Sequence, residues 1–402
     1  MLIMRQVGFS RRSLLQATLG APALHGTSAN DRIQIGVIGA GSRGSALMRE
    51  VAAAKSANAV ITAICDVYRP NRERAAEFVA KTWGIKPRQT VDYKELLGWR
   101  EVDAVLIATP DFGHSIILKD AVTAGKDAYC EKPMGVDFAE AKAAYLAVRQ
   151  SDRVVQIGTQ RRSEPRMVAA ARLIRSGVLG QVTRVEMSVN FHEPRWRRDY
   201  TQIRPEDVAW PQFLMHRPSR PFDARRFREW QLFRDYTNGI AGLWMCHFID
   251  LVHWFLEDPY PAGAVANGGV YLWKDGRETS DVFHALLDYP KGFLVSFAMS
   301  LTNAAGNRNL WFGTRGTFDA DAMKITGQGS RAPDRLTEEI TVAEEPVNSH
   351  MENFLECVRT RRTPRADIQA GFSHAVAVCM AGLALDMGRK VRFDRERLEL
   401  IL

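Results

Sequence analysis

The stretch "RIQIGVIGAGSRGSALMREVAAA", residues 32–54, decides the fold. Ile33, Ile35, Val37 and Ile38 form a short apolar run bounded by glycine, the pattern of a buried parallel strand. Gly39, Gly41 and Gly44 then make GxGxxG, with Ser42 and Arg43 inside the turn, and the residues that follow read as a helix. A second β-rich run, "AVITAICD" (59–66), ends in Asp66, 22 residues past Gly44. Strand, glycine turn, helix, strand and terminal carboxylate together are the dinucleotide fingerprint. Glycines let the backbone approach a pyrophosphate, the helix N-terminus favours its negative charge, and the carboxylate accepts from ribose hydroxyls. Asp66 would repel a 2′-phosphate, which favours NAD, while Arg69 and Arg72 could accommodate one, which leaves NADP open.

Outward from this unit the grammar repeats. A helical stretch at 71–82 precedes "VDAVLIATP" (102–110), a helix at 115–125 precedes "KDAYCEKP" (126–133), and "RVVQIGTQ" (153–160) follows as a fifth strand. Alternation at this spacing predicts an α/β, doubly wound parallel sheet over residues 30–158. From 161 onward a glycine-closed helix, strands with short turns, and helix over 348–388 predict an α+β domain (159–402) with an open, mostly antiparallel sheet. Residues 192–238 show little periodicity but hold eleven aromatics and histidines, which points to a binding loop.

Composition narrows the function classes. Of 402 residues, 46% are hydrophobic and 25% charged, ordinary for a soluble globular protein. In residues 1–29, Arg11 and Arg12 precede a short apolar run and then small residues, which reads as a twin-arginine export signal and a periplasmic address; without its use the protein stays cytoplasmic. That segment holds three arginines and no acid, so removing it takes the net charge from +8 to +5. Such an excess is no nucleic-acid footprint, "RWRRDY" (195–200) being the one dense basic patch. After the first thirty residues no apolar run approaches the roughly 20 residues of a membrane span, so no membrane anchor is expected. The five cysteines are scattered without metal or disulfide spacing, and no His/Asp/Glu cluster has ligand spacing; no metal is expected.

Candidate chemistry collects at strand ends. Thr109 and Pro110 close the third expected strand at the carboxyl edge, where open α/β sheets bind ligands. His114, four residues on, reads as a capping or ribose-contacting residue. In "KDAYCEKPMG" (126–135) Pro133 keeps Lys132 out of any helix where the next strand stops. A lysine there can pair with a substrate oxygen or exchange its proton, partial burial and the charge of an oxidised nicotinamide favouring the neutral amine; an ion pair with Glu131 or a solvated side chain is the structural alternative. Gln160, Arg161 and Arg162 follow the fifth strand, near the expected carboxamide. Within "MCHFIDLVHW" (245–254), His247 and Asp250 share a helical face, so Asp250 could orient an imidazole that accepts a proton. Substrate contacts are sought in Arg161, His192, Arg195, Trp196 and Trp230, since Trp offers an apolar face to sugar C–H surfaces and Arg a planar donor fork.

The blocks "GVIGAGSRG", "VLIATPDFGHSIILKDAVTAGKDAYCEKPMG", "VVQIGTQRRSEPRMVAAARLIRSGVLGQV", "MCHFIDLVHWFL", "FGTRGTF" and "HMENFLECVRTRRTPRADIQAG", in this order, resemble the Gfo/Idh/MocA oxidoreductases over nearly the whole chain after residue 29. The resemblance implies a nicotinamide bound between a Rossmann domain and an α+β domain. Sugar, polyol or glycoside substrates, and homo-oligomers (dimer or tetramer) formed through the sheet face, also follow from it. It makes Lys132 the catalytic lysine, Glu131 a contact to the nicotinamide ribose, and His247 the residue acting on the substrate hydroxyl. Many members carry an aspartate where this chain has Leu243. The expected activity is an NAD(P)-dependent dehydrogenase of a carbohydrate secondary alcohol. The alternatives are a redox-neutral glycoside hydrolase or lyase working by transient oxidation and elimination, and a non-catalytic nucleotide-binding sensor.

Overall fold

The computed structural model describes residues 32–402; the expected export signal lies outside them. β1 (Ile33–Ile38), β2 (Ala59–Cys65), β3 (Arg88–Thr90), β4 (Ala104–Ile107), β5 (Asp127–Cys130) and β6 (Val155–Ile157) form a six-stranded sheet in the order β3-β2-β1-β4-β5-β6. All of its pairings are parallel. The strand order reverses between β1 and β4, which opens a crevice at their carboxyl ends. β3 is absent from the sequence expectation because three residues, RQT, carry no readable periodicity.

The glycine turn after β1 is dictated by crowding. Gly39 has φ +88°, and a Cβ there would lie 2.6 Å from the Ala108 carbonyl oxygen. A Cβ on Gly44 would lie 1.9 Å from the Gly39 carbonyl oxygen, so only glycine lets the helix Ser42–Ala53 start this close to the strand. One face of the sheet buries Leu47, Val51 and Val79. The core on the other face, built on Leu118, Ala144 and Val148, runs without a break into the second domain.

The second sheet has ten strands: β7 (Val182–Asn190), β8 (Gly263–Gly269), β9 (Val282–Tyr289), β10 (Phe293–Ser300), β11 (Arg308–Gly313), β12 (Thr317–Asp319), β13 (Lys324–Thr326), β14 (Ile340–Thr341), β15 (Val391–Asp394) and β16 (Glu399–Ile401). Their order is β14-β13-β12-β11-β7-β10-β9-β8-β15-β16. β7 and β10 pair in parallel, and their other neighbours run antiparallel. Alternation along β7 buries Val185, Met187 and Val189 on the inner face.

Two helices also depart from the sequence reading. The helix His350–Thr360, closed at its start by a Ser349/Glu352 capping box, buries Met351, Phe354 and Leu355 against the first domain rather than the second. The helix Ile368–Met387 is long and apolar enough to cross a membrane, contrary to the expectation that no such run follows residue 30. Here protein buries it, as the central helix of the second core.

Residues 192–238 are also more ordered than a loop. They hold the short helices Trp210–Leu214 and Ala224–Arg228 and build a small core of their own on Trp210, Phe213, Phe233 and Tyr236. Phe112, from the turn after β4, completes that core and ties the segment to the first domain.

Candidate active site

A groove of about 1110 Å³ opens at the β1/β4 crevice. Gly39, Gly41, Ser42, Arg43, Asp66, Thr109 and Pro110, all expected at a cofactor, line it. A Cβ on Gly41 would meet nothing nearer than Asn71 Nδ2 at 3.7 Å, so the backbone there faces open space. No side chain caps the helix that Gly41 precedes, which leaves its first N–H groups for an anion. Thr109 Oγ1 is buried on this wall without a hydrogen-bond partner among the described residues. These residues fit the pyrophosphate and ribose of a dinucleotide.

Asp66 is less free than a ribose reader alone would be. Its carboxylate accepts from Ala40 N (2.7 Å), Tyr68 N (2.8 Å) and Asn71 Nδ2 (3.2 Å). Burial pushes this carboxyl up, and those donors pull it back down. The two arginines open to a 2′-phosphate are engaged: Arg69 pairs with Asp207, and Arg72 Nη1 donates to the Asp66 carbonyl at 2.6 Å.

The roof of the groove comes from the second domain. Arg198, Phe213, Phe227, Arg228 and Trp230 line it opposite the Rossmann residues. The roof is pinned where β2 ends: Ala209 N donates to Val67 O at 2.8 Å, Tyr68 bridges Val208, and the Tyr68 and Phe227 rings lie 5.5 Å apart. Trp230, expected at a substrate, thus belongs to the cofactor groove. The sequence signal for the roof is the aromatic density of 192–238, which points to a binding loop but not to the cofactor as its ligand.

Five residues expected at the cofactor, Gly44, His114, Glu131, Lys132 and Gln160, do not line the groove. Gly44 acts in the packing of the turn. His114 is buried, with both ring nitrogens bonded to carbonyl oxygens, so it neither caps a helix end nor reaches a ribose. Glu131 is paired with Arg43 Nε at 2.6 Å. Gln160 Nε2 donates to Glu131 Oε1 and Tyr129 OH, each at 2.9 Å. Together they join the glycine turn to the ends of β5 and β6.

Lys132 does not pair with Glu131. Half-buried, it sends Nζ to the carbonyl oxygen of Leu243 at 3.1 Å. Leu243 lies in a wide π turn, Ala241–Met245, that opens the helix Cys246–Leu256. His247 stands four residues further on, at the same end of this helix, and its ring feels the charge of Lys132. Among the described residues the His247 ring makes no hydrogen bond. Burial, then the charges of Lys132 and Arg161, push it well below its ordinary range, which keeps it neutral.

Asp250 does not orient His247. Both its oxygens are taken by Arg162 in a buried pair (Nε 2.9 and 3.1 Å, Nη2 2.9 Å). A catalytic part for Asp250 is therefore withdrawn; a carboxylate held by two guanidinium nitrogens has no geometry left for an imidazole three residues away. Arg161, beside it, stacks over Phe248 at 4.5 Å with its fork unbonded among the described residues. Arg195 stacks on Phe191 and Trp244 (4.3 and 4.9 Å) and pairs with Glu193. Trp196 lines a separate open cleft with Arg195, and His192 is exposed, its ring 5.8 Å from Trp273.

Comparisons with known proteins follow this architecture. Residues 33–159 match the oxidoreductase family with an NAD-binding Rossmann fold, GFO/IDH/MocA, and residues 167–319 match the GFO/IDH/MocA C-terminal domain. Inositol 2-dehydrogenase of Rhizobium meliloti is 30% identical over 156 residues, 39% of this chain and 44% of the relative. The inositol 2-dehydrogenase/D-chiro-inositol 3-dehydrogenase of Lactiplantibacillus plantarum is 24% identical over 206 residues, 51% and 54% of the two chains. The chain thus spans about half the length of these curated relatives. Among solved structures, aldose-aldose oxidoreductase from Caulobacter crescentus, complexed with glycerol, superimposes with TM-score 0.68 at 17% identity over 90% of this chain and all of the other. The WlbA dehydrogenase from Bordetella pertussis, with NADH and UDP-GlcNAcA, gives 0.68 at 18% identity over 90% and 99%.

Proposed function

The chain belongs to the Gfo/Idh/MocA oxidoreductase family, and we propose that it is an NAD-dependent dehydrogenase of a secondary alcohol on a sugar, polyol or glycoside. The observation that carries this reading is the hydrogen bond from Lys132, at the carboxyl edge of the Rossmann sheet, to the turn that opens the helix of His247. When bound, NAD supplies the acceptor for the hydride leaving the carbinol carbon. Lys132 Nζ holds the hydroxyl oxygen and exchanges its proton, and the neutral His247 ring assists as a hydrogen-bond acceptor for the same hydroxyl. Arg161 offers a free donor fork beside them for a further substrate oxygen. Engagement of Arg69 and Arg72 supports NAD over NADP. The test is a screen of sugars and polyols against the NAD-loaded protein, read by the absorbance of reduced nicotinamide.

A second reading is favoured by the roof over the groove. A cofactor enclosed by residues of both domains suits a redox-neutral glycoside hydrolase or lyase, which regenerates it in each turnover. Release of free sugar without accumulation of NADH selects this reading.

Assembly and location complete the proposal. Val265 and Leu286 are paired on neighbouring strands and exposed, with Leu294 on the same face, which supports a homo-oligomer formed through the outer face of the second sheet. Arg11 and Arg12 with their apolar run support export by the twin-arginine route, which a reporter fused to residues 1–29 tests directly.

A further inference from the structure

A buried polar cluster behind Lys132 has no part in the chemistry above. His114 is 1% exposed; its Nδ1 lies 2.7 Å from the Pro133 carbonyl oxygen and its Nε2 2.9 Å from the Thr109 carbonyl oxygen. Carbonyl oxygens only accept, so both bonds exist together only when each ring nitrogen carries a proton. A counter-charge stands three residues earlier. Asp111 is 3% exposed; burial pushes its carboxyl up, the charges of His114 and Lys132 pull it back down, and among the described residues its side chain has one hydrogen-bond donor, the Thr237 hydroxyl at 2.7 Å. A carboxylate buried with so little hydrogen bonding needs cations beside it.

The surrounding elements complete the clamp. The end of β5 presents Glu131 and Lys132, the segment before the π turn presents Thr237, and the helix Ile368–Met387 presents His374. His374 Nε2 accepts from Met134 N at 2.9 Å, and Ser115 Oγ donates to Met134 O at 2.7 Å. The peptide that follows Lys132 is therefore gripped by three side chains.

We propose that His114, as an imidazolium balanced by Asp111, is a positioning residue for Lys132. It ties Thr109, on the wall of the cofactor groove, to Pro133, the neighbour of the lysine, and so fixes the ammonium relative to the cradle. This inference rests on the reading of Lys132 as the residue that handles the substrate proton.

Neutron diffraction tests the charge state without any substrate. Deuterium on both Nδ1 and Nε2 of His114 is expected, and deuterium on one alone overturns the clamp. Function is tested with His114→Asn and Asp111→Asn in the NAD-loaded protein. Both variants should keep wild-type affinity for NAD and wild-type KM for the sugar, while kcat drops about 100-fold, the cost of misplacing a reacting group by about 1 Å. Amide exchange at Glu131, Lys132 and Met134 should rise in both. Wild-type kcat in both variants, or a loss of NAD affinity as large as the loss of kcat, overturns the proposal. If wild-type protein turns over no sugar, the functional reading falls; exchange and neutron data then decide the clamp alone. If the His114 variant does not fold, Asp111→Asn and the neutron map decide it.

Discussion

The Lys132 ammonium is held by a backbone carbonyl, that of Leu243, at 3.1 Å. The Leu243 side chain is apolar and buried, so the lysine finds its acceptor in the π turn rather than in a carboxylate at that position. A π turn at a functional site is a recurrent device, because it moves carbonyls off the helical line. The turn also begins the helix that carries His247, four residues past Leu243.

Two glycines of the turn separate folding from binding. A Cβ at Gly41 enters open space in the groove, whereas one at Gly44 collides with the Gly39 carbonyl. Gly41→Ala is expected to keep wild-type stability and lose NAD affinity by about tenfold or more, the scale of about 1.4 kcal/mol. Gly44→Ala should lower the denaturation midpoint as well. Calorimetric titration and urea unfolding read the two effects.

The Arg162–Asp250 pair is a structural tie across 88 residues of sequence. Arg162→Ala leaves a buried carboxylate without its partner and should cost about 3–5 kcal/mol in unfolding free energy. Asp250→Asn, which keeps polar contact with the guanidinium, should cost less and leave His247-dependent turnover in place. Complete loss of turnover in a folded Asp250→Asn protein would restore a catalytic part to this residue.

The interior histidines predict acid sensitivity. Burial, then the charges of Arg162 and Lys132, hold His374 down to about 3, and burial holds His350 down to about 4. Both lie below the ordinary value of 6.5. The stability they contribute is complete above about 6.5 and is lost as pH falls toward 4, because the unfolded chain takes up protons first. The carboxyls Asp66, Asp111 and Asp250, pushed up by burial, act with the opposite sign. His374→Gln keeps an acceptor for Met134 N but does not titrate. Between pH 6.5 and 4 its melting temperature should fall less steeply than that of the wild type; equal slopes would remove His374 from the account.

The roof predicts slow cofactor release. Asp207→Ala breaks the pair with Arg69 that pins the second domain where β2 ends. NAD should dissociate faster from this variant, read by stopped-flow displacement, with the catalytic rate per bound cofactor unchanged.

The sequence made the Rossmann half legible because its signals are local. Glycines at fixed spacing, a strand of alternating isoleucines and a terminal Asp66 fall within 34 residues, and the strand ends at Thr109 and Lys132 follow the same rhythm. What stayed hidden depends on distant contacts. Helical spacing placed Asp250 on the face of His247 but could not show Arg162 arriving from 88 residues away. His114 reads in the sequence as a capping or ribose-contacting residue, because its bond to the carbonyl of Pro133, 19 residues on, leaves no local signal. The roof was read as a loop because its helices are five residues long, too short for periodicity.

The most direct measurement is the turnover of NAD-loaded Lys132→Met on a sugar that the wild-type protein oxidises, with NAD affinity recorded on the same preparation. Unchanged affinity with kcat reduced about 10³-fold is the result expected when the ammonium handles the substrate proton. Turnover at the wild-type rate would contradict it.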